Sequence, residues 1–276
     1  ARRPYYYRGK KEEFKIDSCA SCGFWFTNPY PEGADLAAYY DTDDYVSHTD
    51  GKGSVLDVIY GLVRSFAIRS KYKLVKRYIT KGGRLIDYGA GTGEFLANCQ
   101  QKGLSVQGFE PSAVARENAA KKGLTLNDPA AREHIDDLSV DVFSLWHVME
   151  HIPDLNETWK YFHRKLKNDG ALIIAVPNHE SYDASHYKDN WAAFDVPLHL
   201  WHFAKKDIKA LGVKHGFEVV GVRNMPFDSF YVSLLSEKNS AGSTRPLNAF
   251  FTGLRSNIKG TSNANMSSLI YILRKV

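Results

Sequence analysis

A chain of 276 residues can bury one sizeable core, as a large α/β domain with an appendage or as two small domains. Hydrophobic residues make up 43% and charged residues 24% of it, and the net charge is only +5. No apolar run reaches the roughly eighteen residues of a membrane span, and none follows the charged first residues as in a secretory signal. The odd set of Cys19, Cys22 and Cys99 does not resemble the disulfide framework of a secreted domain, so we expect a cytoplasmic protein.

Residues 1–53 are rich in Tyr, Phe, Asp and turn residues, which predicts an irregular N-terminal cap. Cys19 and Cys22 have the spacing of a zinc knuckle. A structural zinc site needs four ligands, the sequence has no second cysteine pair, and His48 is a poor extra candidate. We therefore predict no metal in the chain as given.

Apolar residues recur at helical spacing between Ser54, a plausible N-cap, and Ile79, which predicts a linking helix over residues 54–81. Basic residues are concentrated on and just after it: Arg64, Arg69, Lys71, Lys73, Lys76, Arg77, Lys81 and Arg84. Such a run could face nucleic acid, an acidic partner or anionic lipid, or be a solvated helix face. The absence of a nucleic-acid motif favours the solvated face and disfavours nucleic acid, while a peripheral membrane contact stays open.

From residue 82 to residue 276, short apolar runs alternate with amphipathic helical stretches. This alternation predicts an α/β, Rossmann-like, doubly wound sheet with helices on both faces. Seven strands are predicted, at residues 84–88, 105–110, 124–127, 140–147, 170–176, 217–224 and 268–275. No parallel crossover unit follows the last strand, so we expect it to be antiparallel.

The first of these strands ends at Asp87 and turns through alternating glycines into a helix. In the dinucleotide-binding fingerprint the position of Glu94 would be the third glycine, at a helix start that faces a pyrophosphate. A carboxylate there repels a pyrophosphate, whereas S-adenosylmethionine carries a sulfonium and an ammonium. Glu110, which ends the second strand, can accept hydrogen bonds from ribose hydroxyls, as in NAD enzymes too. S-adenosylmethionine is therefore favoured over NAD.

The segment from His147 to His151 also matches H-x-x-E-H, a pattern of zinc peptidases when it lies on one helix. We reject that interpretation because the residues before it predict a buried strand and Pro153 follows at once. Either these histidines border a methyl acceptor, with one of them as proton acceptor, or they pack against the fold.

Residues 177–203 form a long, turn-rich connection with many histidines and aromatic residues. In an open α/β sheet this connection lies at the carboxyl ends of the strands, where ligands bind. It therefore predicts a lid over a pocket for an apolar or planar small-molecule acceptor, with a hydrophobic plug over the sheet edge as the alternative.

The motif D-x-G-x-G-x-G at 87–93, followed by an acid at the end of the second strand, resembles class I S-adenosylmethionine-dependent methyltransferases. Residues 141–151, 176–178 and 197–203 resemble the ubiquinone-biosynthesis type, and residues 14–29 resemble the second half of a zinc-ribbon segment, whose first half could lie before Ala1. The resemblance implies a seven-stranded sheet with one antiparallel strand.

It also implies a set of cofactor-binding residues: Asp87, Tyr88, Gly89, Ala90, Gly91, Glu110, Pro111, Asp128, Trp146 and His147. Candidate catalytic residues are His147, His151 and His199. We expect methylation of a small aromatic or apolar acceptor, with a hydroxyl favoured. The alternatives are an S-adenosylmethionine-binding module without turnover and an NAD-dependent oxidoreductase on a similar fold.

Overall fold

The computed structural model describes residues 2–7, 10–31, 39 and 55–276. Its strands are β1 (Arg2–Tyr7), β2 (Lys10–Ser18), β3 (Trp25–Asn28), β4 (Arg84–Tyr88), β5 (Ser105–Phe109), β6 (Leu126–Asn127), β7 (Val140–Trp146), β8 (Leu166–Pro177), β9 (Trp201–His202), β10 (Phe217–Asn224) and β11 (Ser268–Lys275). Its α-helices are α1 (Val55–Val75), α2 (Glu94–Gln101), α3 (Ala113–Ala120), α4 (Leu155–Lys165), α5 (Tyr182–Tyr187), α6 (Lys205–Lys214), α7 (Asp228–Ala241) and α8 (Pro246–Thr261).

The main sheet has seven strands in the order β10-β11-β8-β7-β4-β5-β6. Strands β4 to β8 are parallel, and β11 is antiparallel to both of its neighbours. The predicted fold class is therefore confirmed, including the antiparallel last strand. The central strand β7 is buried along nearly its whole length, as expected for a strand covered by helices on both faces.

The N-terminal region is more regular than the sequence predicts. Strands β1, β2 and β3 form an antiparallel sheet that β9 completes, so the described part of the cap is a small sheet where the sequence predicts irregular structure. The sequence of β2, KKEEFKIDS, has too few apolar residues to show a strand period. Hydrogen bonding to β1 and β3, and not a local hydrophobic pattern, therefore stabilises β2 as a strand. His48 and Ser54 lie outside the described residues.

The connection at residues 177–203 folds into α5 and two 3₁₀ turns, and it ends in β9, which pairs with β3. Its side chains build a separate buried cluster: Ala184, Tyr187, Trp191, Ala193 and Phe194. The carboxylate of Asp183 holds this segment from inside, because it accepts hydrogen bonds from Trp191 Nε1 (2.7 Å), Ser256 Oγ (2.6 Å) and Ser267 Oγ (2.6 Å). The segment is thus packed through its own cluster and tied to Ser256 of α8 and to Ser267, which precedes β11.

The helices α7 and α8 form a hairpin between β10 and β11, a feature that the sequence analysis does not predict. The hairpin packs against the 177–203 connection, since Ser236 Oγ of α7 accepts a hydrogen bond from the Ala192 N–H at 2.8 Å. No helix within the described part of the chain is long and apolar enough to cross a membrane.

Thr27 couples the small sheet to the connection that carries His199. Its buried hydroxyl donates to the His199 carbonyl oxygen at 2.5 Å and lies 3.0 Å from His202 Nε2. We expect Thr27→Val to lower the free energy of unfolding by about 1–3 kcal/mol, because it leaves buried polar atoms without a partner. The matched control is Thr261→Val, whose hydroxyl bonds an exposed helix carbonyl, of Asn257. Urea denaturation measures both, and equal losses would show that Thr27 does not couple the two segments.

Candidate functional site

The turn after β4 is shaped by glycines in left-handed backbone conformations. Gly89, Gly91 and Gly93 have φ values of +80°, +54° and +75°, which side chains disfavour. A Cβ on Gly89 would lie 2.3 Å from Val148 Cγ2, whereas a Cβ on Gly91 would meet nothing within 4 Å. The backbone at Gly91 therefore borders open space, as a turn that approaches a cofactor requires.

Glu110 ties the ends of β4 and β5 together. Its carboxylate accepts hydrogen bonds from the Gly91 N–H at 2.8 Å and the Ser112 N–H at 3.0 Å. Burial raises the pKa of Glu110, although both hydrogen bonds oppose the rise. Each carboxylate oxygen retains a lone pair for a ribose hydroxyl. Pro111, between Glu110 and Ser112, is exposed.

Other predicted cofactor residues take different places around this turn. The Ala90 N–H donates to the Phe109 carbonyl at 2.9 Å, which fixes the turn to β5. The Tyr88 ring belongs to the core, where it packs against Phe109 and Phe162, so its side chain points away from the turn. Asp128 accepts from the Ala130 N–H at 3.0 Å and keeps a half-exposed side chain.

Asp87 is the most strongly perturbed carboxyl group of the turn. Its side chain is 2% exposed and accepts a hydrogen bond from Ser144 Oγ at 2.5 Å. Burial raises its pKa to about 7, while the Ser144 hydrogen bond and the Lys71 charge oppose that rise. A nearby cation would therefore stabilise the ionised form of this carboxyl group.

Lys71 supplies such a cation from helix α1. Its Nζ lies 4.5 Å from the centroid of the Trp146 ring, and desolvation lowers its pKa against the attraction of Asp87 and Asp228. The sequence favours a fully solvated face for this basic run, but Lys71 is desolvated and is an exception. Lys71 lies three and four positions before the buried Leu74 and Val75, and this spacing could have identified it as inward-facing.

His147 follows β7 with a φ of +58°, a backbone conformation that is uncommon for residues other than glycine. Its Nε2 lies 2.9 Å from Asp228 Oδ2, and its Nδ1 lies 3.4 Å from Glu150 Oε1. Burial lowers the pKa of His147, but the two carboxylates outweigh burial and raise it to about 10. His147 is therefore an imidazolium at neutral pH. Sequence analysis misses Asp228, which no motif marks.

Glu150, His151 and His199 form a second, adjacent cluster. Glu150 is fully buried, and within the part of the chain that the structure describes no hydrogen bond reaches its oxygens, of which Oε1 lies 3.4 Å from His147 Nδ1. The two imidazole rings are 4.6 Å apart, and their Nδ1 atoms lie 3.0 Å from the Leu198 carbonyl and 2.9 Å from the Ala193 carbonyl. Burial lowers the pKa of His151 to about 4 and lowers that of His199 as well. Both imidazoles are therefore neutral at pH 7.

The same cluster bears on the metal prediction. One ligand atom from each of Glu150, His151 and His199 lies within 4.8 Å of the others, a set that could hold a cation. His147 ends a strand while Met149–His151 is a 3₁₀ turn, so the histidines of H-x-x-E-H do not share one α-helix. The absence of a metal stays a prediction.

Cys19 and Cys22 lie on the loop that joins β2 to β3. The loop closes through hydrogen bonds from the Cys19 N–H to the Phe24 carbonyl (2.9 Å) and from the Gly23 N–H to the Cys19 carbonyl (2.8 Å). Hydrogen bonds from the backbone of Cys22 and Ser21 lower the pKa of the Cys19 thiol. A thiolate at Cys19 is a suitable metal ligand, but two ligands do not complete a structural zinc site.

Glu94 is less isolated than the sequence argument assumes. Its carboxylate forms an ion pair with Arg64 and lies 3.5 Å from Lys122 Nζ. These two cations reduce its repulsion of a phosphate. Glu94 is therefore a weaker argument against a dinucleotide than the sequence indicates, and the choice of cofactor depends on the rest of the site.

Comparison with known proteins decides the class. A family model described as a methyltransferase domain matches residues 63–222, more than half of the chain, and the chain belongs to that family. No curated protein matches the sequence. The family and the glycine turn together identify S-adenosylmethionine as the cofactor, and the predicted cofactor is confirmed.

Several solved structures share the fold. A SAM-dependent methyltransferase of Thermotoga maritima has a TM-score of 0.53 at 22% identity, over 78% of this chain and 92% of that chain. One of Archaeoglobus fulgidus has a TM-score of 0.53 at 17% identity, over 80% and 100%. The geranyl diphosphate C-methyltransferase of Streptomyces coelicolor A3(2), solved with S-adenosyl-L-homocysteine, has a TM-score of 0.55 at 14% identity, over 83% and 88%. At these identities the likeness shows the fold alone.

Gly89→Ala tests the glycine turn. The new Cβ overlaps Val148 and φ is +80°, so we expect S-adenosylhomocysteine affinity to fall at least about 10-fold and stability to fall by about 2–5 kcal/mol. Gly103→Ala is the matched control, because its φ is +82° but nothing lies within 4 Å of the new Cβ. It should lose about 1–2 kcal/mol from backbone strain alone and keep its affinity. Calorimetry and thermal unfolding measure both, and equal affinities would contradict the role of Gly89.

Asp228→Asn tests the charge on His147. A histidine whose folded pKa is raised to about 10 stabilises the fold below its ordinary value of 6.5, and this stabilisation is lost as the pH rises through 10. We therefore expect the stability difference between wild type and Asp228→Asn to be largest near pH 6 and to shrink towards pH 10. Denaturation at several pH values measures it. An NMR titration midpoint of wild-type His147 near 6.5 would contradict the ion pair.

Proposed function

We propose that the protein transfers the methyl group of S-adenosylmethionine to a hydroxyl of a small aromatic or apolar acceptor, as a methyltransferase of the ubiquinone-biosynthesis type. One observation carries the choice of a hydroxyl. One atom from each of the neutral imidazoles of His151 and His199 lies within 4.8 Å of the fully buried Glu150 carboxylate, two residues after Val148, which lies against Gly89. A hydroxyl must lose its proton to accept a methyl group, and such a cluster can take it.

The cofactor is assigned to the edge where β4, β5 and β7 end. Gly89 and Gly91 are placed against its methionine part, Glu110 at the ribose hydroxyls and Asp128 near the adenine, with Trp146 at the floor. S-adenosylmethionine supplies an electrophilic methyl group on a sulfonium. The buried Asp87 carboxyl group, with its raised pKa, favours a cationic ligand in this place. Lys71, above the Trp146 ring, must then share the space or turn away.

The three predicted catalytic histidines receive different roles in this proposal. His147 is protonated at neutral pH because of Asp228 and Glu150, and a protonated imidazole cannot accept a proton. We assign it to positioning the carboxylates. His151 and His199 are neutral, and either can accept the hydroxyl proton as a general base. The Glu150 carboxylate stabilises the imidazolium that forms.

The connection at residues 177–203 is assigned as the lid of the acceptor pocket. It carries His199 and lies over the carboxyl edge of the sheet, where its own aromatic cluster makes it a firm cover. Direct displacement at a methyl group requires nucleophile, carbon and sulfur in line and protection from water. A packed layer in this position would hold the acceptor in line with the methyl group and exclude water from it.

The activity test uses the full chain with S-adenosylmethionine and a panel of phenols, catechols, primary amines and carbon acids. S-adenosylhomocysteine and the methylated product are followed by mass spectrometry. Methylation of phenols or catechols is the expected outcome. Methylation of amines alone would overturn the hydroxyl assignment but would still agree with a methyltransferase. Cofactor binding without turnover would support a non-catalytic module, and displacement of S-adenosylhomocysteine by NAD would support the oxidoreductase alternative.

Substitutions at the neutral histidines test the base. We expect His199→Gln or His151→Asn to lower kcat by ~10²–10⁴ with a phenol acceptor at pH 7. The rate should recover towards pH 10, where the phenol ionises without help. His186→Gln, on the exposed side of α5, is the control and should keep its kcat. A loss below about 10-fold in both variants, with no recovery at high pH, would contradict the base assignment.

A further inference from the structure

Helix α8 (Pro246–Thr261) buries small residues and exposes large apolar ones. A surface helix ordinarily shows the reverse, with its large apolar residues towards the core. The residues that it buries are all small: Ala249, Gly253, Ser256 and Gly260. They allow close approach to α7, since a Cβ on Gly253 would lie 2.9 Å from Phe230 Cδ1. None of the large apolar residues of this helix is therefore fully buried in the fold.

The large apolar side chains of α8 point outward. Five of them are exposed: Leu247 (73%), Phe250 (51%), Phe251 (63%), Leu254 (38%) and Ile258 (67%). Their spacing places them along one stripe of the helix. Scattered exposed apolar residues are ordinary, but a contiguous stripe marks an interaction surface. We call these five residues the α8 stripe.

Aromatic contacts connect the α8 stripe with the surroundings of the site. The Phe250 ring stacks on Phe230 of α7, with centroids 5.5 Å apart. At the start of α7, the partly exposed Phe227 packs edge-on against Phe66 of α1, also at 5.5 Å, and Phe66 is 59% exposed. Phe227 immediately precedes Asp228, the partner of His147. The apolar surface thus reaches from α8 towards the candidate site.

The charged residues of helix α8 are all positive. Residues 246–261 contain Arg255 and Lys259 and no Asp or Glu, and Arg245 directly precedes them. Both basic residues of the helix are exposed and lie over the Tyr182 ring, with Lys259 Nζ at 4.2 Å from its centroid and Arg255 Cζ at 5.4 Å. A surface of this kind complements a negatively charged partner.

A second copy of this chain and an anionic lipid surface differ in whether they can compensate these positive charges. A symmetric contact between two copies of α8 would bring Arg255 and Lys259 towards their counterparts, and the helix offers no carboxylate to compensate. An anionic lipid surface supplies negative headgroups for the cations and an apolar layer for the stripe. Outward aromatic and aliphatic residues beside basic ones are typical of helices that lie in the membrane interface.

We propose that the α8 stripe docks on an anionic lipid bilayer, with α8 lying in the plane of the interface and Arg255 and Lys259 at the headgroups. The side of the protein that carries Phe66 and Phe227 then faces the same surface. Docking itself does not depend on the identity of the methyl acceptor. We also infer that an apolar acceptor enters the site from the bilayer, and this second step rests on the function proposed above.

The test is vesicle binding by the full chain, without cofactor or acceptor, so that its failure leaves the methyltransferase proposal untouched. Flotation is compared between phosphatidylcholine vesicles and vesicles containing about 30% phosphatidylserine, at low and high salt. We expect binding to the anionic vesicles that weakens with salt, because surface charges are screened. Equal binding to neutral vesicles, or none to either, would overturn the proposal.

Paired variants assign the binding to this helix. We expect Phe251→Ser with Ile258→Ser to weaken anionic-vesicle binding at least about 10-fold, and Arg255→Gln with Lys259→Gln to weaken it by about 10- to 30-fold. Val213→Ser (67% exposed) with Lys160→Gln is the control and should bind as wild type does. Unchanged binding in both α8 variants would overturn the proposal, and melting temperatures verify that each variant is folded.

Two further measurements address other occupants of the stripe. Hydrogen exchange of residues 246–261 should slow when anionic vesicles are added. Protection already complete without lipid would show that another part of the chain covers the helix. Sedimentation velocity should show that Phe251→Ser leaves the association state unchanged. A dimer that this substitution dissolves would identify a second copy as the occupant, and either outcome overturns the lipid proposal.

Discussion

The parallel pairing of β4 between β5 and β7 is the constraint on which the candidate site depends. Parallel strands end at the same edge of a sheet, so residues that are far apart in sequence meet there. Gly89 and Ala90 both donate to the Phe109 carbonyl, and Gly91 donates to Glu110. These bonds lock the turn of one strand to the end of the next. The geometry of the glycine turn is thus a consequence of strand register.

Electrostatics then divide the histidines of this edge into two kinds. His147 lies between the carboxylates of Asp228 and Glu150 and holds its proton. The half-buried His151 and the buried His199 have their Nδ1 atoms near backbone carbonyls and stay neutral. Burial alone disfavours charge on all three. The difference comes from the two carboxylates that contact His147, Asp228 first and Glu150 second, which together outweigh its burial. Residue type alone therefore does not identify the base.

The α7–α8 hairpin has two consequences at once. It brings Asp228 to His147 at one end, and it presents the α8 stripe at its outer surface. Both follow from the insertion of two helices before the antiparallel strand β11. Small residues on the inner side of α8, Gly253 among them, allow the close packing that leaves its large side chains outside. The same hairpin thus completes the charge pattern of the site and forms its exposed apolar flank.

The sequence by itself determined the seven-stranded sheet, its antiparallel last strand and the glycine turn, because strand periods and positive-φ glycines are local properties. It placed Glu110 at the second strand end for the same reason. Only the tertiary structure decided the N-terminal strands, whose pairing partners are distant, and the positions of Lys71 and Asp228. Those two residues meet Trp146 and His147 across gaps of more than seventy positions. Charge state depends on such neighbours, so the charge states of the histidines followed from the fold and not from their motif, and the roles proposed for them rest on those charge states.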